Sequence, residues 1–342
     1  SEIRFAGKYV KMDGELRSKV KRVVASTLFS ADSSGVHRFG GGGTGEFAIY
    51  FNGELHTSGE TVFDPEDLLG ALVAPPQIHA EVSLAKGELI EIKVEYFPSD
   101  LLDWNVLSMF FGFRSPRLTD EEEFNKAIKI GEEADVVVVI VGTTDSLESE
   151  GYDRKNLKLP SNQDDLVNAV LSVNPRTIVV VNSGGPVEMP WIEKTAATLL
   201  SWFPGEEFGN ALADVLIGDI EPGGRMPTTW PKQIADAVVN STDPISGTLS
   251  YTEGLNIGYR GFHSSNVEPM FWLGYGLGYT TWKIQSINLN NIVESNSECE
   301  IEVQVTNTGK RSGSHVVQAY LSCVNSTVDR PALWLAGFTR IS

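Results

Sequence analysis

The chain has 342 residues, of which 41% are hydrophobic, and it carries a formal net charge of -18 with a pI near 4.7. This acidity argues against binding to nucleic acid or to an anionic membrane surface, and no apolar run reaches the roughly 20 residues that span a bilayer. The five histidines are scattered and no CxxC or HExxH pattern occurs, so we expect neither a metal site nor a cofactor.

Residues 1–115 are predicted to form an antiparallel β-sandwich. Runs of alternating apolar and polar residues occur at Glu46–Phe51 and Leu89–Tyr96, and such alternation indicates half-buried strands. Asn52-Gly53 follows the first run and predicts a tight hairpin. A segment around Glu15–Val24 is the one helical pattern in this region. Gly40–Gly43 lacks the GK[ST] of a phosphate-binding loop, so we interpret it as a flexible loop between strands.

From residue 116 onward the pattern alternates between strands and helices. Val136–Val141 is a continuous β-branched run, which is typical of a buried parallel strand, and an amphipathic helix is predicted before it at Asp120–Glu133. Further elements are predicted at helix 162–173, strands 177–182 and 196–202, and helix 207–217. This order favours a mainly parallel sheet with helices on both faces. From residue 283 a period of two returns, in 300–305 and 315–321, and predicts a second β-sandwich.

The most informative segment follows the strand Val136–Val141. It contains two carboxylates two positions apart, Glu148 and Glu150, and continues into Gly151-Tyr152-Asp153-Arg154. Loops at the carboxyl ends of parallel strands line ligand crevices, and a carboxyl group there can donate or accept a proton. We expect Asp153 and Arg154 to form a salt bridge that orders the loop, because an arginine can hold a carboxylate through two hydrogen bonds.

This loop and the motifs after it resemble family 3 glycoside hydrolases, the β-glucosidase group. The resemblance covers residues 117 to 342, in which the order and spacing of the motifs match. The motifs are Asn182-Ser183-Gly184-Gly185-Pro186-Val187-Glu188-Met189-Pro190-Trp191, Trp202-Phe203-Pro204-Gly205-Glu206-Glu207-Phe208-Gly209, Pro222-Gly223-Gly224-Arg225-Met226-Pro227, Gly258-Tyr259-Arg260 and Gly274-Tyr275-Gly276-Leu277-Gly278-Tyr279.

The resemblance implies three domains. Residues 1–115 are similar to the protective-antigen-type β-sandwich inserted into some members, here N-terminally incomplete. Residues 116–282 correspond to the family's C-terminal α/β sandwich domain, and residues 283–342 to an incomplete fibronectin type III-like domain. We therefore expect the chain to be an internal piece of a longer enzyme.

The resemblance also implies an activity: hydrolysis of terminal, non-reducing β-D-glucosyl residues with retention, without a cofactor. Retention requires two carboxyl groups. In this family the nucleophilic aspartate belongs to an N-terminal barrel domain, which would be this chain's partner, and this chain would supply the acid/base loop. The alternative is a non-catalytic carbohydrate-binding or assembly module. A nucleotide-binding α/β protein is disfavoured, since no glycine-rich phosphate turn follows a strand.

Glu150 is the first candidate for the acid/base and Glu148 the second, because one sequence does not fix the register of the loop. Trp202 is predicted to bind substrate by stacking on a sugar ring, as Phe203 and Trp191 could, although packing at strand ends explains all three equally well. In the N-terminal sandwich, Arg38 and Phe39 are predicted to face the substrate cleft. The family often has Trp where this chain has Leu147.

Two Asn-X-Ser/Thr sequons, Asn240-Ser241-Thr242 and Asn325-Ser326-Thr327, favour a secreted glycoprotein that degrades polysaccharides such as cellulose. A cytoplasmic location is the alternative. Inserted sandwiches mediate self-association in some relatives, so a homo-oligomer is a further expectation.

Overall fold

The computed structural model describes residues 9–11, 20–62, 75–99, 106–144, 147–148, 153–239, 243–290 and 300–342. Eight strands form two four-stranded sheets in the N-terminal part. They are β1 Tyr9–Lys11, β2 Val23–Ser30, β3 Gly35–Gly43, β4 Gly45–Phe51, β5 Glu54–Thr61, β6 Gln77–Leu84, β7 Leu89–Pro98 and β8 Val106–Arg114. The sheet orders are β1-β8-β3-β6 and β2-β7-β4-β5.

The hairpin predicted at Asn52-Gly53 is confirmed between β4 and β5. Asn52 has a φ of 50° and Gly53 a φ of 82°, and two successive positive φ values are what a type I′ turn requires. Phe51 pairs with Glu54 directly across the turn. Local residue preference is therefore sufficient to place this turn.

The sandwich core is built from inward-facing aromatic and β-branched side chains of both sheets. Phe47, Ile49 and Tyr96 are almost fully buried, and the ring of Phe47 stacks on that of Tyr96 with centroids 4.5 Å apart. The Tyr96 hydroxyl donates to the Thr44 carbonyl at 2.8 Å. The one polar end of this aromatic pair is thus satisfied inside the core.

Gly40–Gly43 lies in strand β3, so the interpretation of these glycines as a flexible loop is wrong. Each of the last three makes room for an aromatic ring. A methyl group on Gly41 would lie within 3 Å of the Phe47 ring, and one on Gly43 within 3 Å of the Tyr96 ring. A methyl group on Gly42 would overlap the ring of Phe110. The glycines are therefore packing residues, selected because backbone and rings approach so closely.

The helical pattern around Glu15–Val24 is not borne out where it can be checked. Residues 12–19 lie outside the described residues, and Val23 and Val24 begin strand β2. Val23 pairs with Tyr96 and Val24 with Glu95 of β7. Pairing along the full length of β2 outweighs a weak local helical preference.

The middle of the chain has the alternating elements that the sequence predicts. They are helix α1 Asp120–Glu133, strand β9 Val137–Gly142, helix α2 Gln163–Val173, strand β10 Thr177–Asn182, strand β11 Ala197–Leu200, helix α3 Phe208–Ile217 and helix α4 Tyr259–Ser265. Helix α1 begins with a capping box in which Thr119 and Glu122 satisfy each other's backbone N–H groups. The three strands form a sheet in the order β11-β10-β9, and β10 pairs with β11 in parallel.

Two element ends in this region depend on left-handed residues. The strand predicted at 196–202 ends at Leu200, because Trp202 has a φ of 56°, which no strand accommodates. Helix α3 ends as predicted at Gly218, which has a φ of 85°. Glycine adopts this conformation without steric cost, whereas a tryptophan does so only when its surroundings hold it there.

Four strands follow near the C-terminus. Strand β12 Trp282–Asn290 pairs with β13 Glu300–Asn307, and β14 His315–Leu321 pairs with β15 Trp334–Ile341, both antiparallel. Both predicted segments, 300–305 and 315–321, are strands.

The chain divides into two units: residues 1–137 with 143–154 and 172–174, and residues 138–142 with 155–171 and 175–342. The predicted domain boundaries at 115 and 282 stay predictions. Within the described ranges, no helix has the length and apolarity needed to cross a membrane.

Candidate active site

The loop that carries the two candidate acids begins at Gly142, the last residue of β9. The side-chain amide of Gln163 pairs with this residue on both sides: Gly142 N–H donates to Gln163 Oε1 at 2.7 Å, and Gln163 Nε2 donates to the Gly142 carbonyl at 2.9 Å. A methyl group on Gly142 would overlap the Asn182 carbonyl of β10. The starting point of the loop is therefore held from two sides.

Within the loop, Glu148 is bound by Arg154. Arg154 Nη1 donates to Glu148 Oε1 at 2.7 Å, and both side chains are 12% exposed. Arg154 thus binds Glu148, a partner that the order of residues did not single out, and the predicted salt bridge between Asp153 and Arg154 stays a prediction. Leu147 and Glu148 donate their backbone N–H groups to the Thr144 carbonyl, which forms a turn. Glu150, the first candidate, lies outside the described residues.

The contact with Arg154 fixes the Glu148 side chain within the loop, because a guanidinium holds a carboxylate oxygen in a defined direction.

Trp202 lies just beyond the carboxyl end of β11. Its ring packs edge-on against that of Trp230, with centroids 6.1 Å apart. Trp230 is fully buried, and its indole N–H donates to the Val187 carbonyl at 2.8 Å. This contact holds Trp202 in its left-handed conformation, with part of its surface accessible. Phe203, the next residue, is 59% exposed.

Trp191 is fully buried, so it has no ring face for a sugar. Its indole N–H donates to Asp164 Oδ1 at 2.8 Å. Burial raises the pKa of the Asp164 carboxyl, while the bond from Trp191 acts in the opposite direction.

The sequence predicted neither the bond between Trp191 and Asp164 nor the two bonds between Gln163 and Gly142. The available signal was the placement of a glutamine and an aspartate in the first turn of a helix that follows the loop.

Arg38 and Phe39 point to opposite faces of strand β3. Phe39 is 3% exposed and belongs to the sandwich core, in edge contact with Phe29 at 5.0 Å. The ring is therefore enclosed by the core and offers no exposed face to a substrate, contrary to its predicted place at the cleft. Arg38 is exposed, and its Nε donates to Glu81 Oε1 at 2.7 Å. Its guanidinium is accessible to a ligand from the outer face of the sheet.

Among the residues that the structure describes, no group of three or more His, Cys, Asp or Glu side chains is placed to hold a metal ion.

Comparison with known proteins places these features in a family. A sequence profile described as the glycosyl hydrolase family 3 C-terminal domain matches residues 9–279. A β-glucosidase of Rhizobium radiobacter is 35% identical over 324 residues, which cover 92% of this chain and 39% of the relative. A probable β-glucosidase I of Aspergillus flavus is 34% identical over 347 residues, which cover 96% of this chain and 40% of the relative.

A solved structure gives the same result. The crystal structure of a β-glucosidase from Kluyveromyces marxianus in complex with glucose superposes with a TM-score of 0.80 at 32% identity, and the match covers 94% of this chain and 37% of that chain. The chain thus spans about two fifths of the length of the relatives that it matches. It belongs to glycosyl hydrolase family 3, whose C-terminal domain its sequence matches.

Proposed function

We propose that this chain supplies the acid/base loop of a retaining β-glucosidase, with Glu150 as the proton donor. The observation that carries the proposal is the contact between Arg154 and Glu148 at 2.7 Å. Because it commits one of the two candidate carboxylates to an ion pair, the proton-transfer role is assigned to the other. The names of the relatives, β-glucosidases from bacteria and fungi, support the reaction class.

In this reaction a carboxylate nucleophile forms a glucosyl-enzyme while Glu150 protonates the leaving oxygen. Glu150 then deprotonates the water that releases glucose. Retaining enzymes need the two carboxyl groups at about 5–5.5 Å from each other. We propose that the nucleophile belongs to a separate barrel domain that acts together with this chain, and that the substrates are glycosides with a terminal non-reducing β-D-glucosyl residue.

Trp202 and Arg38 are the proposed sugar-contacting residues. The strained backbone of Trp202 supports its role, since left-handed non-glycine residues cluster at ligand sites. Arg38 is exposed and offers a planar donor group suited to hydroxyl and carboxylate oxygens. The alternative, a carbohydrate-binding or assembly module without catalysis, is not favoured, because the relatives are named as enzymes.

The test compares Glu150→Gln with Glu148→Gln in a protein that unites this chain with the nucleophile domain. Loss of a general acid lowers the rate about 10²–10⁴-fold, so Glu150→Gln is expected to lose that much kcat/KM on an alkyl β-glucoside. Added azide should restore its turnover of a dinitrophenyl glucoside, because azide attacks the glucosyl-enzyme without a base. Full activity in Glu150→Gln together with a rescuable loss in Glu148→Gln would reverse the assignment.

We also propose that the protein is secreted and glycosylated. The sequon residue Asn325 lies in an exposed turn between β14 and β15, with a φ of 60°. An oligosaccharide is easily accommodated at such a turn. The other sequon residue, Asn240, lies outside the described residues. In a eukaryotic secretory host, Thr327→Ala should remove one glycan and Thr327→Ser should retain it. An unmodified Asn325 peptide from the native protein would contradict the proposal.

Self-association through the N-terminal sandwich is a separate proposal, which sedimentation analysis of the protein would test.

A further inference from the structure

We propose that the N-terminal sandwich binds an acidic saccharide on the outer face of the sheet β1-β8-β3-β6, through the neighbouring guanidinium groups of Arg38 and Arg114. This goes beyond the proposed function, and only the choice of a saccharide as the ligand rests on it. The site lies wholly within the first of the two units into which the chain divides.

The pairing register places the two arginines side by side. Arg38 of β3 pairs directly with Arg114 of β8 and, on its other side, with Glu81 of β6. The adjacent pair, Phe39 and Phe113, stacks in the core with ring centroids 6.1 Å apart. Because successive side chains of a strand alternate between its faces, the arginines point outward, and both are exposed.

This arrangement of charge is unfavourable without a ligand. Directly opposed residues on antiparallel strands have Cβ atoms about 5 Å apart, where like charges destabilise a sheet. Glu81 compensates Arg38, which donates to it from Nε at 2.7 Å. Among the described residues, no carboxylate forms an ion pair with Arg114. An anionic group bound between the two guanidinium groups would remove the repulsion, and this excess of positive charge occurs in a chain whose net charge is -18.

Beside the arginines the same face is almost without side chains, because the next two rows of the sheet contain three glycines. The rows are Gly112-Gly40-His79 and Phe110-Gly42-Gln77. A Cβ atom on Gly112 would meet no atom within 4 Å, so the space above it is open. The Phe110 ring occupies the place of a side chain on Gly42 and is partly exposed. The face thus has a shallow depression about 13 Å long, the length of four residues of strand.

The two ends of this depression differ in chemistry. At one end, Arg38 and Arg114 offer planar donor groups that hold a carboxylate through charge-assisted hydrogen bonds. At the other end, Phe110 offers an apolar ring. Ligand sites commonly combine an aromatic surface with a few polar groups that fix orientation. A sugar ring that carries a carboxylate matches both ends, with the ring lying on the glycine floor between them.

The test measures binding to this chain by ligand-observed NMR, with methyl β-D-glucuronide as the probe. Methyl β-D-glucoside has the same ring without the carboxylate, and acetate has the carboxylate without the ring. We expect the glucuronide to bind about tenfold or more tightly than either, because hydrogen bonds between charged groups are stronger than those between neutral groups. Added salt should weaken its binding.

Three variants locate the site. Arg114→Met removes one guanidinium and leaves the ion pair of Arg38 with Glu81 intact, so it should weaken glucuronide binding about tenfold or more. Gly112→Leu fills the depression and should weaken binding as strongly while both arginines remain. The control is Arg330→Met, which removes an exposed arginine of the second unit and should match the wild type. Circular dichroism of each variant checks that it is folded.

Equal affinity for the glucuronide and the glucoside would overturn the proposal, as would unchanged binding in Arg114→Met. Acetate that binds as tightly as the glucuronide would show a plain anion site and would overturn it as well. These measurements involve no hydrolysis. The proposed function is decided separately, by the kinetics of Glu150→Gln, so the failure of one proposal is distinguishable from the failure of the other.

Discussion

Arg154 and Glu148 form an ion pair at 2.7 Å in which each side chain is only 12% exposed. The pair links two positions six residues apart in the loop that follows β9. Because both charges are largely removed from water, each helps to compensate the other. The pair therefore orders the loop at Glu148, and it supports the proposed assignment of the proton-donor role to Glu150.

Breaking this pair should destabilise the fold measurably. Replacing Arg154 by Met removes this ion pair, and we expect the free energy of unfolding to fall by about 2 kcal/mol, between the values for exposed and for fully buried pairs. The measurement is urea denaturation of Arg154→Met, Glu148→Met and the double variant. The double variant should lose less than the sum of the two single changes. Strict additivity would show that the two side chains do not interact.

Asp164 gives a prediction on pH. Its pKa is raised, first of all by burial, so the folded state favours the protonated carboxyl more than the unfolded state does. This preference stabilises the folded state fully when the pH is below 3.8, the pKa of the carboxyl in the unfolded chain. The stabilisation is lost as the pH rises through the higher pKa of the folded state. Asp164→Asn keeps an acceptor for Trp191 and removes the charge. The free energy of unfolding of Asp164→Asn, relative to that of the wild type, should therefore rise between pH 4 and pH 7.

The control for this effect is Asp164→Ala. It removes the charge as well but leaves the buried indole N–H of Trp191 unsatisfied, which costs about 1–3 kcal/mol. Thermal unfolding of both variants across the pH range separates the two contributions. If Asp164→Asn loses relative stability as the pH rises, the burial of the carboxyl is not the dominant influence.

Gly278 and Gly313 should not tolerate a side chain. Glu221 accepts the N–H groups of Tyr279 at 2.9 Å and Ser314 at 2.8 Å, and a methyl group on either glycine would overlap its carboxylate. The carboxylate would have to give up bonds to backbone N–H groups, so Gly278→Ala and Gly313→Ala should each cost about 1–3 kcal/mol.

The same substitution at Gly209 is the control for that prediction. Gly209 lies in helix α3 with no atom near the position of a Cβ, so Gly209→Ala should stabilise the protein by up to about 1 kcal/mol. Chemical denaturation of the three variants tests the contrast. Equal effects at all three positions would show that space around Glu221 is not limiting.

Asn174 closes the end of helix α1. Its Nδ2 donates to the carbonyls of Gly131 at 3.0 Å and Ala134 at 2.7 Å, which are among the acceptors that a helix end leaves without partners. Asn174→Ala should cost about 1–3 kcal/mol, and Asn174→Asp more, because it places a carboxylate against two carbonyls. Hydrogen exchange in the last turn of α1 should accelerate in both. Unchanged exchange would mean that the last turn does not depend on Asn174.

Much of the fold could be predicted because it depends on local preference. The run Val137–Gly142, the capping box at Thr119 and the turn at Asn52-Gly53 each specify their own element, whatever lies around them. The family motifs, being short and ordered along the chain, indicated the loop that is proposed to carry the acid/base. Nothing in the residue order indicated which partner Arg154 binds or that Gln163 reaches back to Gly142.

The sequence by itself thus determined the type and order of the elements from residue 120 to residue 217 and the loop that contains the candidate acids. Only the tertiary structure decided that Gly40–Gly43 is a strand packed under aromatic rings, that Phe39 and Trp191 are buried, and that Glu148 is held by Arg154. The physical reason is one of distance along the chain. Periodicity and turn preference act between near neighbours, whereas burial, ring packing and charge pairing depend on which segments the fold brings together.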